Sequence, residues 1–376
     1  MAGPVTPRVT WARALAWRME RQLLAPVPAA GVVDVVSRLG GVQAQVPSSA
    51  NLAVRLRSTC IGPEDVAQAL ADGRLIRTWA MRGTLHLLTA RDAGTFLSLL
   101  AAGRPWETPA WEKWIGYTPA VVDEVRAVVR EALDGGALTR DELITQLTAR
   151  PRLRHLGEPL RESWGTGFKP MAWLGELAFG PSSGNRVTFV RPAASPHWGG
   201  MPDPEEAAPA ALGAYLAAYG PAPLDRYRRW MGTGRIPQRM IVDWFKRSRD
   251  RLATVEVDGE EAFIRAEDLD PLMATPPTDG VRLLGGFDQW VLGPGTDDPH
   301  IIPQARRREV SRQSGWISPV VLAGGVVRGT WQLDRDTVRM VWFREAGHAP
   351  RGMLEEEVSR LSSILGHALS AEIAVS

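Results

Sequence analysis

Residues 224–264 read LDRYRRWMGTGRIPQRMIVDWFKRSRDRLATVEVDGEEAFI and carry the clearest local structural pattern in the chain. Two helical segments, Leu224–Met231 and Pro237–Ser248, flank a turn with two glycines, which is typical of a helix-turn-helix. Residues 252–264 then alternate around Asp258-Gly259, a favoured pair for a two-residue hairpin turn. The stretch predicts a winged-helix unit, which is a common DNA-binding scaffold and implies no particular chemistry.

Two earlier stretches repeat this order of helices followed by a hairpin. Helical periodicity between Trp11 and Ala71 precedes strand-like residues 75–88 around Gly83. A capping box at Thr139-Arg-Asp-Glu142 and a helix over Leu160–Leu177 then precede a second hairpin at residues 179–190. The sequence thus predicts three rounds of the same unit.

The C-terminal quarter has a different pattern. Strand-like segments Trp316–Leu322 and Val326–Leu333 flank a glycine pair, Val338–Phe343 adds a strand, and Met353–Leu369 forms an amphipathic helix. Pro192–Pro209 is rich in Pro, Ala and Gly and is interpreted as a linker, and a helix over Glu205–Tyr219 begins the third unit.

The predicted fold class is therefore α+β, with three tandem winged-helix units forming a concave DNA-binding surface and a small C-terminal β-rich domain. The predicted boundaries are residues 1–100 and 101–195 for the first two winged-helix units, 205–275 for the third, and 280–376 for the β-rich domain.

Composition excludes several classes of site. Cys60 is the only cysteine, so no intramolecular disulfide or cysteine-built metal cluster can form, and the six histidines lack metal-ligand spacing. We expect no metal and no cofactor. No apolar run is long enough to span a bilayer and no signal peptide is recognisable, so we expect a cytoplasmic, nucleoid-associated protein without a membrane partner.

Charge points weakly to nucleic acid. The formal net charge is only +2, but only Lys113, Lys169 and Lys246 are lysines among 44 basic residues, which leaves 44 − 3 = 41 arginines. Arginine suits phosphate contact and stacking on bases. A GC-rich genome explains the same bias, although it does not readily explain fifteen tryptophans.

Gln43-Ala44-Gln45 is the clearest candidate for chemistry. Glycines precede the pair and Pro47 follows it, so an extended backbone is expected, and alternation would send both carboxamides to one side. Two fixed carboxamides can hold one water, although neither can act as a strong base. The alternative is that the two glutamines merely cap a turn.

The segments Leu39–Val46 and Arg77–Leu88 resemble the winged-helix DNA glycosylases of the azinomycin-resistance (AlkZ) type. The resemblance extends through Leu284–Leu292 and Gly315–Leu322 to Arg328-Gly-Thr-Trp331 and so covers most of the chain.

The resemblance implies that Gln43 and Gln45 are catalytic and hold the hydrolytic water. A related branch carries aspartate at the second position, so the second glutamine here resembles the specialised antibiotic-resistance branch. The implied activity is a monofunctional glycosylase that removes bulky N7-alkylguanine adducts and unhooks interstrand crosslinks. Its substrate would be double-stranded DNA carrying alkylated guanine, bound by a monomer. Asp34, Asp65 and Asp288 are candidate acidic helpers.

Ten residues are predicted to contact DNA: Arg77, Trp79, Arg82, His86, Arg306, Arg307, Arg308, Trp316, Arg328 and Trp331. For His86 a structural role is the alternative to phosphate contact. For the run Arg306-Arg-Arg308 the alternative is an ordinary solvated face.

Two other classes of function remain open at this point. A non-enzymatic winged-helix regulator would bind undamaged operator DNA, and a drug-sequestering protein would bind the antibiotic without DNA. Release of free adducted base from alkylated duplex would distinguish the enzyme from both.

Overall fold

The computed structural model describes residues 6–163 and 165–376. Helices alternate with short antiparallel hairpins, and a five-stranded sheet follows near the C-terminus. The predicted α+β class and C-terminal β-rich region are confirmed. Residues 1–5 of the first predicted unit, and Trp164 within the predicted helix Leu160–Leu177, lie outside the described residues.

The strands are β1 (Arg8–Val9), β2 (Val42–Gln43), β3 (Leu75–Trp79), β4 (Leu85–Thr89), β5 (Leu138–Thr139), β6 (Ala178–Phe179), β7 (Thr188–Val190), β8 (Leu252–Val257), β9 (Glu260–Arg265), β10 (Val281–Leu284), β11 (Val320–Ala323), β12 (Val326–Asp334), β13 (Thr337–Trp342) and β14 (Ser370–Val375). The α-helices are α1 (Trp11–Arg21), α2 (Val32–Arg38), α3 (Pro47–Arg55), α4 (Asp65–Ala71), α5 (Ala93–Ala102), α6 (Pro109–Ile115), α7 (Pro119–Asp134), α8 (Arg140–Thr148), α9 (Gly157–Glu162), α10 (Lys169–Trp173), α11 (Pro204–Tyr219), α12 (Leu224–Met231), α13 (Gln238–Arg247), α14 (Leu269–Ala274), α15 (Gln289–Leu292), α16 (Arg307–Val310) and α17 (Arg351–Leu365).

The chain divides into two compact units. Unit 1 comprises the described residues of Met1–Val66 together with Leu212–Trp230 and Ser248–Ser376, and unit 2 comprises Ala67–Ala211 and Met231–Arg247. The first predicted hairpin, β3–β4, lies in unit 2, whereas helices α1 to α3 lie in unit 1. The division into four domains, and the concave surface, remain predictions from sequence.

Unit 2 contains the first two predicted hairpins. Strand β3 pairs antiparallel with β4 and also with β6, and β6 pairs with β7. Helix α8 begins at the predicted capping box: the Thr139 hydroxyl accepts from the Glu142 amide at 3.3 Å, and the Glu142 carboxylate accepts from the Thr139 amide at 2.8 Å. These local predictions are confirmed.

Unit 1 holds two sheets, each with its own apolar core. Strands β8 and β9 form the third predicted hairpin, which turns at Asp258 and Gly259, and β1 adds in parallel. The second sheet has the order β10-β11-β12-β13-β14, in which only the β13–β14 pair is parallel. Its core includes Trp290, Leu283 and Val320.

Four predictions of local structure are wrong. Residues 160–177 are not one helix, because Gly165 adopts a left-handed φ of 84° between α9 and α10. The predicted linker extends too far, because helix α11 begins at Pro204, one residue before the predicted helix Glu205–Tyr219. Trp316 precedes β11 rather than starting it. Helix α17 ends at left-handed Gly366, and the following residues form β14.

Candidate active site and nucleic-acid interface

The segment Gln43-Ala44-Gln45 is held between two helix ends. Helix α2 ends in a Schellman motif, in which the Gly41 amide donates to the Val36 carbonyl and the Gly40 amide to the Ser37 carbonyl, both at 3.0 Å. Both glycines have positive φ, 63° and 105°, a conformation that larger side chains rarely adopt. The local sequence therefore redirects the chain from α2 into β2, which ends at Gln43.

The two glutamines differ in exposure. Gln43 is 7% exposed, whereas Gln45 is exposed to solvent. The extended strand ends at Gln43, and Gln45 lies in a bend before α3. Simple strand alternation, from which we expected both carboxamides on one side, therefore does not apply to the pair. A buried amide and an exposed amide one residue apart combine a fixed hydrogen-bonding group with one that solvent can reach.

None of the three candidate acids is set apart as a general base. Asp34 accepts from the Gly31 amide at 3.2 Å, and Asp65 accepts from the Gly62 amide at 2.8 Å, so each supports a local turn. Asp288 is fully buried and caps α15 through the Trp290 amide at 2.8 Å. Its two carboxylate oxygens also accept from Arg57 at 2.7 and 2.8 Å. The carboxylates that sequence singled out are thus occupied by structural contacts.

Four predicted DNA-contact residues lie on the β3–β4 hairpin of unit 2. Arg77 places its guanidinium 5.0 Å from the centre of the Phe179 ring. Arg82 is half-buried in the turn at a φ of 57°. Trp79 is mostly buried, but with Phe179 and Phe189 it lines a cavity of about 280 Å³ beside Gly165.

His86 is placed differently from the phosphate-contact prediction. It is 0% exposed, its Nδ1 lies 3.0 Å from the Thr84 carbonyl, and its Nε2 lies 3.5 Å from Arg82 Nη2. Burial, reinforced by the Arg82 charge, lowers the pKa of His86 to about 3. The imidazole is therefore neutral, donates from Nδ1 to Thr84 and can accept at Nε2. A buried neutral ring has no surface to offer a phosphate, so the structural alternative accounts for it.

The three arginines of the run Arg306-Arg-Arg308, in unit 1, lie in different environments. Arg306 binds Glu345 and Glu309 and lies 4.6 Å from the centre of the Phe343 ring. Its hydrogen bonds lower the pKa of Glu345 to about 2, so Arg306 is engaged within the protein. Arg307 and Arg308 are exposed, and Arg307 donates to the Thr296 carbonyl at 3.0 Å. Arg307 and Arg308 are therefore better placed than Arg306 for phosphate contact.

The remaining predicted contacts also lie in unit 1. Trp316 is 51% exposed and packs edge-to-face on Phe287 with ring centres 5.1 Å apart. Trp331 is 6% exposed and donates from Nε1 to the Leu284 carbonyl at 2.9 Å, so it is a core residue and the prediction of DNA contact does not fit it. Arg328 is half-buried on β12.

Three cationic side chains that are buried or half-buried in the structure were not predicted from the sequence to be important. Arg57 binds Asp288 from a position 231 residues away along the chain. Lys169 and Arg235 are half-buried in unit 2, and the local sequence does not distinguish them from other basic residues. Only three-dimensional proximity identifies them.

Residues 6–163 and 165–376 contain neither a candidate metal site nor a candidate membrane span. No group of three or more His, Cys, Asp or Glu side chains in those ranges is placed to hold a metal ion. None of the helices described there is both long and apolar enough to cross a membrane.

Comparison with known proteins shows that the chain belongs to a class of DNA glycosylase. The family model described as "DNA glycosylase AlkZ-like" matches residues 36–364. The chain belongs to this family and is an enzyme acting on DNA.

A curated protein and a solved structure, both from Streptomyces sahachiroi, resemble the chain over nearly its full length. A curated protein named "Interstrand DNA cross-link repair glycosylase" is 44% identical over 361 residues, covering 96% of this chain and 97% of the relative. The solved structure "Streptomyces sahachiroi DNA glycosylase AlkZ" matches with a TM-score of 0.95 and 43% identity, covering 98% of this chain and 100% of that chain.

Proposed function

We propose that this enzyme hydrolyses the N-glycosidic bond of bulky N7-alkylguanine adducts in double-stranded DNA and unhooks interstrand crosslinks built from them. The observation that carries the proposal is the 44% identity, over nearly both full lengths, to a glycosylase named for interstrand cross-link repair. The biological role that follows is self-resistance to a DNA-alkylating antibiotic. The protein would act as a cytoplasmic, nucleoid-associated monomer.

Gln43 and Gln45 are the proposed catalytic residues. N7-alkylguanine is cationic, so its bond to the sugar is weakened before the enzyme binds. The water oxygen bonds to C1′ of the sugar, the C1′–N9 bond breaks, and its electron pair neutralises the purine. The water releases its proton to solvent, because a carboxamide holds a water by hydrogen bonds without keeping its proton.

This chemistry requires orientation more than proton transfer. Burial of Gln43 restricts its carboxamide, and exposure of Gln45 leaves its carboxamide accessible to solvent and substrate. Correct placement of a nucleophile can supply a large part of a rate enhancement. Asp34, Asp65 and Asp288 each accept hydrogen bonds from other groups of the protein. These contacts support a site in which neutral carboxamides, rather than a carboxylate, hold the water.

A panel of three duplexes tests the choice of substrate. Each carries one lesion: N7-methylguanine, a bulky intercalator–guanine adduct, or a nitrogen-mustard interstrand crosslink. The proposal predicts abasic sites from the bulky adduct and the crosslink. Efficient release of N7-methylguanine, with none from the two larger lesions, would instead define a general repair enzyme.

A further inference from the structure

Two half-buried cations in unit 2 have no acidic partner. Lys169 is the first residue of α10, and Arg235 lies in the loop before α13. Among residues 6–163 and 165–376, no carboxylate forms an ion pair with either side chain, and neither side chain has a hydrogen-bond acceptor. The Arg235 Nε is buried and without a partner.

Close glycine contacts hold Arg235 in place. A Cβ on Gly83, in the β3–β4 turn, would lie 2.6 Å from Arg235 Nη2 and 2.9 Å from its Nε. A Cβ on Gly232 would lie 3.2 Å from the backbone of Arg82. The guanidinium therefore packs directly on the hairpin turn, where any larger residue than Gly83 would displace it.

The charge of Arg235 also reaches Lys169. Burial lowers the pKa of Lys169, and the charge of Arg235 lowers it further. Burial likewise lowers the pKa of Arg235. Partly desolvated like charges are unfavourable unless an anion is bound between them.

We propose that Lys169 and Arg235 bind one backbone phosphate of the DNA substrate, with the β3–β4 turn positioning Arg235. A guanidinium fork and a lysine ammonium can both donate to the oxygens of a phosphodiester. The phosphodiester also brings a negative charge to two cations that lack an acidic partner among the described residues. Such a contact fixes the register of DNA without reading sequence. The inference rests on the proposed function only in taking duplex DNA as the substrate.

Methylphosphonate scanning tests the proposal without base excision. Duplexes that carry one non-excisable abasic-site analogue at a fixed position, which sets the binding register, and one phosphate replaced by a neutral methylphosphonate are titrated with the full-length protein. For the wild type, one position should weaken binding roughly tenfold, since hydrogen bonds to charged groups are worth about that much. For the double variant Lys169→Met/Arg235→Gln that position should show less than a twofold effect. The negative slope of log affinity against log salt should be shallower by about 0.9 for the double variant than for the wild type, because one phosphate contact is lost.

Matched variants separate this site from general loss of charge. Arg152→Gln removes an exposed arginine elsewhere in unit 2 and should keep the methylphosphonate pattern. Lys169→Arg should also keep it. If the double variant unfolds, the scan is repeated with Lys169→Met alone. At the same position, the loss of binding free energy caused by the methylphosphonate should then be about half that of the wild type. An unchanged pattern in a folded variant overturns the proposal. Absence of excision by the wild type would defeat the proposed function and leave this binding result standing.

Discussion

Arg57 and Asp288 form a bidentate ion pair in which both side chains are 0% exposed. Two guanidinium nitrogens bind two carboxylate oxygens, and Asp288 also caps α15. A buried pair of this kind is destabilised strongly when one partner is removed, because the other charge is left without compensation. Asp288 therefore has structural contacts in unit 1, and we expect it to stabilise the fold rather than to activate a water.

This role predicts the phenotype of Asp288→Asn. The variant should lose about 3–5 kcal/mol in the free energy of unfolding of unit 1, measured by urea denaturation. Its excision rate per folded molecule should stay within a few-fold of the wild type. A variant of wild-type stability with excision abolished would make Asp288 a catalytic acid or base after all.

Trp316 and Trp331 should respond differently to substitution. Trp316→Ala removes an exposed ring and should reduce excision of bulky adducts about tenfold, with little effect on N7-methylguanine, because stacking on a base is worth about 1–3 kcal/mol. Trp331→Phe removes the hydrogen bond to Leu284 and should lower stability by about 1 kcal/mol. The measurement is the excision rate of each variant on the bulky adduct and on N7-methylguanine, corrected for the fraction of folded protein. Equal effects of Trp316→Ala on both lesions would exclude a role specific to bulky adducts.

His86 should make stability depend on pH below neutrality. Its folded-state pKa of about 3 lies below the ordinary value of 6.5, so protons bind the unfolded chain first as pH falls. Its contribution is complete above pH 6.5 and is lost between pH 6.5 and 3, at up to about 1.4 kcal/mol per pH unit. Denaturation of wild type and His86→Gln at pH 7.5 and 5.5 measures this difference. Parallel pH profiles for the two proteins would refute the buried neutral imidazole.

The product should be an abasic site without strand cleavage. Lys169 is the lysine on which this prediction depends, since burial lowers its pKa and a deprotonated amine is what Schiff-base chemistry requires. We expect borohydride to trap no enzyme–DNA adduct, because an ammonium that binds a phosphate keeps its proton and cannot attack the sugar, and we expect excision to persist in EDTA. A trapped adduct that disappears in Lys169→Met would replace the phosphate-binding role of this residue by a covalent one. Loss of excision in EDTA would require a metal ion.

Local sequence predicted the parts of the fold that depend on near neighbours. The hairpin at Asp258-Gly259 and the capping box at Thr139 each follow from residues a few positions apart. The break at Gly165 and the strand β14 were missed, because a left-handed residue and a pairing partner supplied by β13 are both invisible to periodicity.

The candidate site shows the same limit. The Gln43-Ala44-Gln45 segment could be found because its residues are contiguous and flanked by glycine and proline. The pairing of Arg57 with Asp288, and the packing of Arg235 on Gly83, depend on residues distant along the chain. The inward placement of Trp331 and His86 likewise depends on tertiary packing rather than on residue type.

Single-turnover excision of a bulky N7-guanine adduct tests the catalytic role of the two glutamines. It is measured for the wild type, Gln43→Ala, Gln45→Ala and the double variant. Each single change should slow excision on the order of 10²-fold, with DNA affinity nearly unchanged, because a positioned hydrogen-bonding group is lost and phosphate contacts remain. Gln146→Ala, an exposed glutamine on α8, should excise at the wild-type rate. A folded Gln43→Ala/Gln45→Ala protein that still releases the adduct at the wild-type rate would exclude the two glutamines from catalysis.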